Sequence, residues 1–207
     1  MRTSTIKMIV FFIGTVVYAQ KDSIPHLQND ALKPYESTIE NWLHCYNISL
    51  DKFDFVSSDT LSTEETIFDT QSYMSIYLPY CRASSDKNQI LDVCSYHYIF
   101  KKDNIARTIS AGTNVDSEVS LINWNRKTHK RLLFGGSQTR FHDAFWLDNY
   151  HIIVVGGEFL YRFVPEIWLI DLQRNTIDFY MYITVLPRYP KCNYRKFKYP
   201  DVIFTSK

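Results

Sequence analysis

Apolar residues recur at helical spacing in one part of the chain, between residues 30 and 47. The members of this repeat are Leu32, Tyr35, Ile39, Trp42, Leu43 and Tyr46. Their spacing predicts one amphipathic α-helix, and Pro34 fits its first turn because an N–H there has no partner within the helix. Residues 57–70 are rich in Ser, Thr, Asp and Glu, which predicts a connecting loop after the helix.

From residue 71 onward the pattern changes to short runs of Tyr, Ile, Val, Phe and Trp that are separated by turn residues. Such runs predict antiparallel strands. Segments 119–134 and 167–182 share a pattern of strand, polar turn and strand, and they begin 48 residues apart. Repeats of about 40–50 residues are typical of propeller blades. We therefore expect one four-stranded unit in residues 141–182 and a looser one in residues 73–134, with an insertion around residues 101–113.

The predicted fold class is mostly β, with antiparallel sheets built from propeller-blade-like hairpins and one N-terminal α-helix. Two such units cannot close a ring, which needs at least about four blades. Glycine is also scarce, at 6 of 207 residues. The sequence therefore predicts a sandwich or an incomplete propeller.

The N-terminus has the pattern of a secretory signal. Arg2 and Lys7 precede an apolar run over residues 8–18 that is followed by Ala19. The run is shorter than the roughly 20 apolar residues that cross a bilayer, so a membrane anchor is the less favoured alternative. We expect cleavage after Ala19 and export to the periplasm or the cell exterior, with no membrane span left. The expected organisation is a signal peptide over 1–19, the helix and connecting loop over 20–70, and the antiparallel β domain over 71–207.

The charge of the chain is almost balanced. Lys and Arg number 23, Asp and Glu number 22, and the net charge is +1. Because binding to nucleic acid depends on an excess of positive charge, this balance predicts no nucleic-acid partner.

The chain has four cysteines, Cys45, Cys81, Cys94 and Cys192, and an exported protein can join them in disulfides. Three pairings are possible. A hairpin that turns at Lys87 and Asn88 would place Cys81 opposite Cys94, so this pair is the disulfide candidate. The alternative is that the cysteines are small buried residues. None of them has the spacing of a zinc knuckle, and the sequence assigns no metal.

Polar residues at the borders of the predicted strands form the best candidate for chemistry. They are Asp92, His97, Asp116, Glu118, His142 and Asp143, of which Asp116, Glu118, His142 and Asp143 are the candidate binding residues. Carboxylates with a histidine can bind a hard metal or act in acid–base hydrolysis. The alternative is that they cap turns and bond to neighbouring backbone groups. The chain has no motif of a nucleophilic hydrolase, zinc protease or nucleotide-binding loop, and we expect no cofactor and no catalytic residue.

Aromatic residues make up 16% of the chain, and some have the potential to contact a partner. Trp124, Trp146 and Trp168 could stack on a glycan or anchor a protein, although strands commonly bury such residues in the core. Residues 188–199 combine five basic with four aromatic side chains. This tail could contact an acidic partner or a glycan, or dock on its own domain.

Five motifs carry a resemblance to known sequences. They are LDVCSYH (91–97), VDSEVSLI (115–122), RLLFG (131–135), DAFWLDN (143–149) and PEIWLIDL (165–172). Together they look like uncharacterised exported bacterial proteins with propeller-like β-repeats. The resemblance implies export and a repeat-built β fold, and it brings no activity with it.

We interpret the sequence as an exported, non-catalytic binding or interaction module of unknown ligand, with an unknown protein or glycan as its partner. Two alternatives stay open. One is a metal-dependent or acid–base hydrolase that uses the carboxylate and histidine cluster. The other is a structural subunit of a larger assembly, in which the chain completes a sheet or ring.

Overall fold

A computed structural model describes residues 31–67, 76–103, 105, 108–184, 186 and 191–205. The predicted signal peptide, residues 1–19, lies outside the described residues. The predicted helix is confirmed as α1, Glu36–Tyr46, which follows a short 3-10 turn at Lys33–Tyr35. It ends at Asn47, whose left-handed backbone (φ 54°) lets its N–H bond to the last helical carbonyls.

Thirteen strands make up most of the remaining described chain. They are β1 (Phe53–Thr60), β2 (Glu65–Ile67), β3 (Arg82–Ala83), β4 (Gln89–Asp92), β5 (Tyr98–Asp103), β6 (Thr108–Thr113), β7 (Ser117–Asn123), β8 (Thr128–Gly135), β9 (Thr139–Trp146), β10 (His151–Phe159), β11 (Phe163–Asp171), β12 (Thr176–Tyr182) and β13 (Val202–Phe204). A second, short helix, α2, spans Tyr194–Lys198. The mostly β fold class is therefore confirmed.

The strands form three sheets. The first has the order β1-β12-β11-β10-β9, the second β2-β8-β7-β4-β3, and the third β13-β6-β5. All pairs are antiparallel except β13 with β6. Each five-stranded sheet thus contains a four-stranded meander, and the β5–β6 hairpin interrupts the second one. Within the described residues these sheets close into neither a barrel nor a propeller.

The two similar segments of the sequence are the hairpins β7–β8 and β11–β12. Their turns are built alike. Asn123 and Asp171 occupy equivalent positions and accept backbone N–H groups at the start of the turn. Lys127 and Asn175, again equivalent, have left-handed backbones with φ of 53° and 56°. The repeated sequence pattern therefore has a local cause, which is the shared turn chemistry.

Residues 57–67 differ from the sequence-based expectation of a loop. They contain the end of β1 and all of β2, which pair with β12 and β8 at the edges of the two large sheets. Side chains on these edge strands are mostly exposed, which suits their polar sequence. Their backbones pair with the neighbouring strand of each sheet. Composition indicated solvent exposure correctly, but exposure does not exclude an edge strand.

The core has two layers on opposite faces of the first sheet. Ile153, Val155 and Ile167 pack against α1, which contributes Ile39, Trp42 and Leu43. The other face of the same strands packs against the second sheet, through Ile152, Val154, Trp168 and Ile170 on one side and Leu91, Val119 and Leu121 on the other. Because both faces of β10 are covered, its sequence is continuously apolar instead of alternating.

One disulfide joins Cys45 at the end of α1 to Cys192 in the C-terminal segment. The predicted partners Cys81 and Cys94 are not disulfide-bonded. The β3–β4 hairpin turns one residue earlier than expected, since its register pairs Arg82 with Leu91, and continuing that register beyond β3 would place Asp92 opposite Cys81. None of the helices that the structure describes has the length and apolar character to cross a bilayer.

Candidate functional site

A cavity of about 610 Å³ opens between the two helices and the edge of the first sheet. Its walls come from five places in the chain: the end of α1, the start of β5, strand β9, the end of β10 and the C-terminal segment 191–199. The lining residues are Tyr46, His97, Tyr98, Arg140, Phe141, His142, Phe159, Lys191, Cys192, Asn193, Tyr194, Arg195 and Tyr199. The volume lies within the range of about 300–1,000 Å³ that is usual for small-molecule sites.

Three cations line this cavity, Arg140, Lys191 and Arg195, and none of the described lining residues is Asp or Glu. Arg140 donates to the carbonyl of Thr139 at 2.7 Å, which directs its guanidinium along the start of β9. Arg195 lies over the Phe204 ring at 4.2 Å from its centroid. Burial lowers the pKa of Arg140, because a desolvated guanidinium is costly, and the nearby Tyr98 and Asp116 oppose this effect only in part. An anionic ligand would relieve this cost.

His142 stands on the wall beside α1. Its Nδ1 accepts a hydrogen bond of 3.1 Å from the Trp42 indole, so the proton of the neutral ring is on Nε2. The imidazole stacks on Tyr46 with 5.4 Å between ring centroids and 5° between planes. Burial, aided by the charge of Lys198, lowers the pKa of His142 to about 3. His142 is therefore neutral at physiological pH and contributes a flat aromatic surface.

Asp143, the next residue on β9, follows a β-bulge at His142 and fixes the C-terminal wall. Its carboxylate accepts from Lys198 Nζ at 2.6 Å, Arg82 Nη2 at 2.8 Å and the Tyr194 hydroxyl at 3.0 Å. Burial alone would raise the pKa of Asp143, but the two cations outweigh it and lower the pKa. Because Tyr194 and Lys198 are the first and last residues of α2, this carboxylate anchors the helix that carries Arg195.

The inner wall is formed by His97, Tyr98 and Tyr199, all of which are buried. His97 Nδ1 lies 3.0 Å from the carbonyl of Asp116, and burial lowers the pKa of this histidine. The hydroxyl of Tyr199 is buried and has no hydrogen-bond partner among the described residues. Buried polar groups are normally paired, so this hydroxyl is an unmet donor beside the cavity.

The four candidate binding residues of the sequence do not share one set of partners. His142 lines the cavity, and Asp143 supports its wall from behind. Asp116 contributes its backbone carbonyl to His97. Glu118 is buried within the second sheet, where Ser120, His129 and Arg131 contact its carboxylate at 2.5, 3.0 and 2.6 Å.

The Glu118 group forms a closed network of its own. Burial opposes its ionisation, but the three hydrogen bonds outweigh burial and lower the pKa of Glu118. No hydrogen bond or ion pair in the described part of the chain joins any two of Asp116, Glu118, His142 and Asp143. The choice of these four residues as a joint binding site stays a prediction, and the cavity uses His142 from that set.

Only some of the other cavity residues belong to a pattern that is visible in the sequence. Lys191, Tyr194, Arg195 and Tyr199 belong to the basic and aromatic tail, for which the sequence predicts either contact with a partner or docking on its own domain. In the structure Tyr194 and Tyr199 of this tail are buried, while Lys191 is exposed. Arg140 and Phe159 had no distinguishing pattern, because only the fold brings them beside this tail.

Glu166 is a further buried acid, which does not line the cavity. It lies on β11 opposite Gly156 and is 3% exposed. Burial, with repulsion from Glu158, raises its pKa from 4.5 to about 8. The folded protein therefore holds this proton more tightly than the unfolded chain, and the folding free energy weakens as pH rises from about 4.5 to about 8.

We expect Glu166→Gln to unfold at a higher urea concentration than the wild type at about pH 8, because the amide has no proton to lose. The gain should exceed about 1.4 kcal/mol, the free energy of one pKa unit. At about pH 5 the difference should shrink, because the pH then exceeds the unfolded-state pKa of 4.5 by only about half a unit, so the unfolded state gains little from releasing the proton. Glu64→Gln, on an exposed site, is the matched control. An equal gain in unfolding free energy at both pH values would contradict the raised pKa of Glu166.

Searches against family models, curated proteins and solved structures found no match to this chain.

Proposed function

We propose that the protein is an exported, non-catalytic binding module, and that its cavity binds a small organic anion that carries an aromatic ring. The observation that carries this proposal is the combination of three lining cations, no lining carboxylate among the described residues, and aromatic walls. An anionic group would pair with Arg140, Lys191 or Arg195. A planar ring would pack against the side chains of Tyr46, His142 and Tyr98.

The cavity is also stiffened in the way that a binding site requires. The Cys45–Cys192 disulfide fixes Tyr46 relative to Lys191, and the Lys191 N–H donates to the carbonyl of Cys45 at 2.8 Å. The buried Asp143 network fixes α2 behind Arg195. Both features reduce the conformational freedom that a ligand would otherwise have to restrict.

The hydrolase alternative has less support. Asp143 and Glu118 are each paired with two basic side chains, which uses them as structural anions. His142 accepts from Trp42 and has a pKa of about 3, which is unsuited to a general base at neutral pH. The contacts of these three side chains therefore favour a binding site over a hydrolytic one.

Export rests on the N-terminal sequence pattern, and the disulfide fits it because disulfides persist in oxidising compartments. The two four-stranded meanders with similar hairpin turns support the idea that the large sheets are blade-like units. N-terminal sequencing of the secreted protein tests export, and we expect Gln20 as its first residue.

The binding proposal predicts discrimination by charge. 8-Anilinonaphthalene-1-sulfonate should bind the folded protein at least about tenfold more tightly than N-phenyl-1-naphthylamine, which has the same rings without the sulfonate. Its affinity should fall as salt is added, because an ionic contact is screened. Fluorescence titration measures both probes, and near-ultraviolet circular dichroism confirms the native packing. Equal affinity for the two probes would contradict an anion site.

A further inference from the structure

A second group of reactive side chains lies outside the cavity, at the junction of the second and third sheets. One ligand atom each from Cys81, Asp92 and Cys94 lies within 4.8 Å of the other two. Asp92 is 2% exposed and Cys94 is 1% exposed, while Cys81 is partly exposed. The group is therefore shielded on one side and accessible on the other.

The three ligands are held by different elements. Cys81 follows the 3-10 turn Leu78–Tyr80, Asp92 ends β4, and Cys94 lies in the turn that leads to β5. Asp92 is fixed by the backbone N–H groups of Cys94 at 2.7 Å and Ser95 at 3.0 Å, and by the Ser95 hydroxyl. Hydrogen bonds of this kind orient the carboxylate, as the outer-shell partners of metal ligands do.

The types of ligand atom and the distances between them suit one metal ion in particular. Two sulfurs bound at about 2.3 Å to a tetrahedral zinc ion lie about 3.8 Å apart, so a cluster within 4.8 Å needs only a small contraction. Thiolates favour soft or borderline ions over magnesium and calcium, and zinc also accepts a carboxylate oxygen. The two cysteines lack zinc-knuckle spacing because they come together only through the hairpin between them.

We propose that Cys81, Asp92 and Cys94 form a three-residue zinc site, with a fourth position open to water on the side of Cys81. The ion would join the β3–β4 hairpin to the turn before β5, and so link the second sheet to the third. Its binding releases the thiol protons.

Burial and neighbouring charges affect how readily the Cys94 thiol loses its proton. Burial raises the pKa of the Cys94 thiol, and the neighbouring Cys81 and Asp92 add to this effect. Lys198 opposes it by stabilising the thiolate. Zinc affinity should therefore increase as pH rises, because each bound thiol must first lose its proton.

The test uses the full mature chain, purified under argon without chelator and with its Cys45–Cys192 disulfide intact. Cobalt(II) is the spectroscopic probe, and zinc(II) is measured by competition with a chromophoric chelator. We expect one ion per chain, with the near-ultraviolet charge-transfer absorption of cobalt bound to thiolate. Zinc should also raise the melting temperature.

Cys81→Ser is the main variant, because Cys81 is the least buried ligand. It should lower zinc affinity by more than the roughly 10–100-fold that loss of an outer-shell partner costs. Asp54→Asn, on an exposed position of β1, is the matched control and should bind like the wild type. Far-ultraviolet circular dichroism establishes that both variants are folded.

Three results would overturn the proposal. The first is the absence of thiolate charge transfer in the wild type. The second is unchanged zinc affinity in Cys81→Ser. The third is a Cys81–Cys94 disulfide in peptide maps of the freshly secreted protein, since the ligands would then be consumed.

Discussion

Asp143→Asn should be the most damaging single substitution in the described part of the chain. The carboxylate is 2% exposed and contacts Lys198 Nζ at 2.6 Å, while the Lys198 side chain is itself 6% exposed. Removing one partner of such a buried pair leaves the other charge uncompensated, which typically costs about 3–5 kcal/mol. Urea unfolding followed by tryptophan fluorescence measures the loss. Because Asp143 also anchors α2, the variant should lose affinity for the anionic probe as well.

Asp54→Asn is the matched control for this prediction. Asp54 lies exposed on β1, and the same change there should alter the unfolding free energy by no more than about 0.5 kcal/mol. The pair with Arg82 contributes less to the predicted loss, because that guanidinium is 44% exposed and screened by solvent. A loss of less than about 1 kcal/mol in Asp143→Asn would show that Lys198 can reach water without it.

The second large effect concerns the disulfide. The double variant Cys45→Ser/Cys192→Ser should lose about 2–5 kcal/mol of unfolding free energy, since the bridge closes a loop across 147 residues of sequence. Removing it also removes the covalent link between segment 191–193 and the end of α1. We therefore expect weaker binding of the anionic probe even at temperatures where the double variant is fully folded.

Reduction of the wild-type protein provides a second route to the same state. Mild reductant should lower the midpoint of urea unfolding to that of the double variant, and it should have no further effect on the double variant itself. If reductant lowers the midpoint of the double variant equally, then the loss arises elsewhere, and the bridge is not what stabilises this wall of the cavity.

Local patterns in the sequence carried much of the fold. The helical repeat located α1, and the repeated hairpin pattern located β7–β8 and β11–β12, because Asn123 and Asp171 specify the same kind of turn. Helix periodicity and turn chemistry act over a few residues, so they are visible in one sequence. The blade-like organisation of the two large sheets remains a proposal.

Features that depend on register or on distant contacts were less accessible. Cys81 and Cys94 fall near each other as expected, but the observed register pairs Arg82 with Leu91, which puts the two cysteines out of register with each other. The polar segment 57–67 forms edge strands because its partners β12 and β8 supply the ladder. The composition of a segment does not specify which strands it pairs with.

Some residues of the cavity are marked by a local sequence pattern, whereas others come together only in the fold. His142 is a candidate from sequence, but the β-bulge that it forms between Phe141 and Asp143 depends on the pairing of β9 with β10, which no local pattern marks. Arg140 comes together with Tyr46 and Arg195 from positions far apart in the chain. No local pattern marks that convergence, so the cationic character of the site became visible only in the fold.

The most direct test of the anion-binding cavity is calorimetric titration of 8-anilinonaphthalene-1-sulfonate into the double variant Arg140→Ala/Arg195→Ala. Lys102→Ala/Arg174→Ala is the control, because it removes the same charge from exposed positions outside the cavity. We expect at least about tenfold weaker binding in the first variant and wild-type affinity in the second. Equal affinity in the two variants, with both folded, would contradict the assignment of this cavity as an anion-binding site.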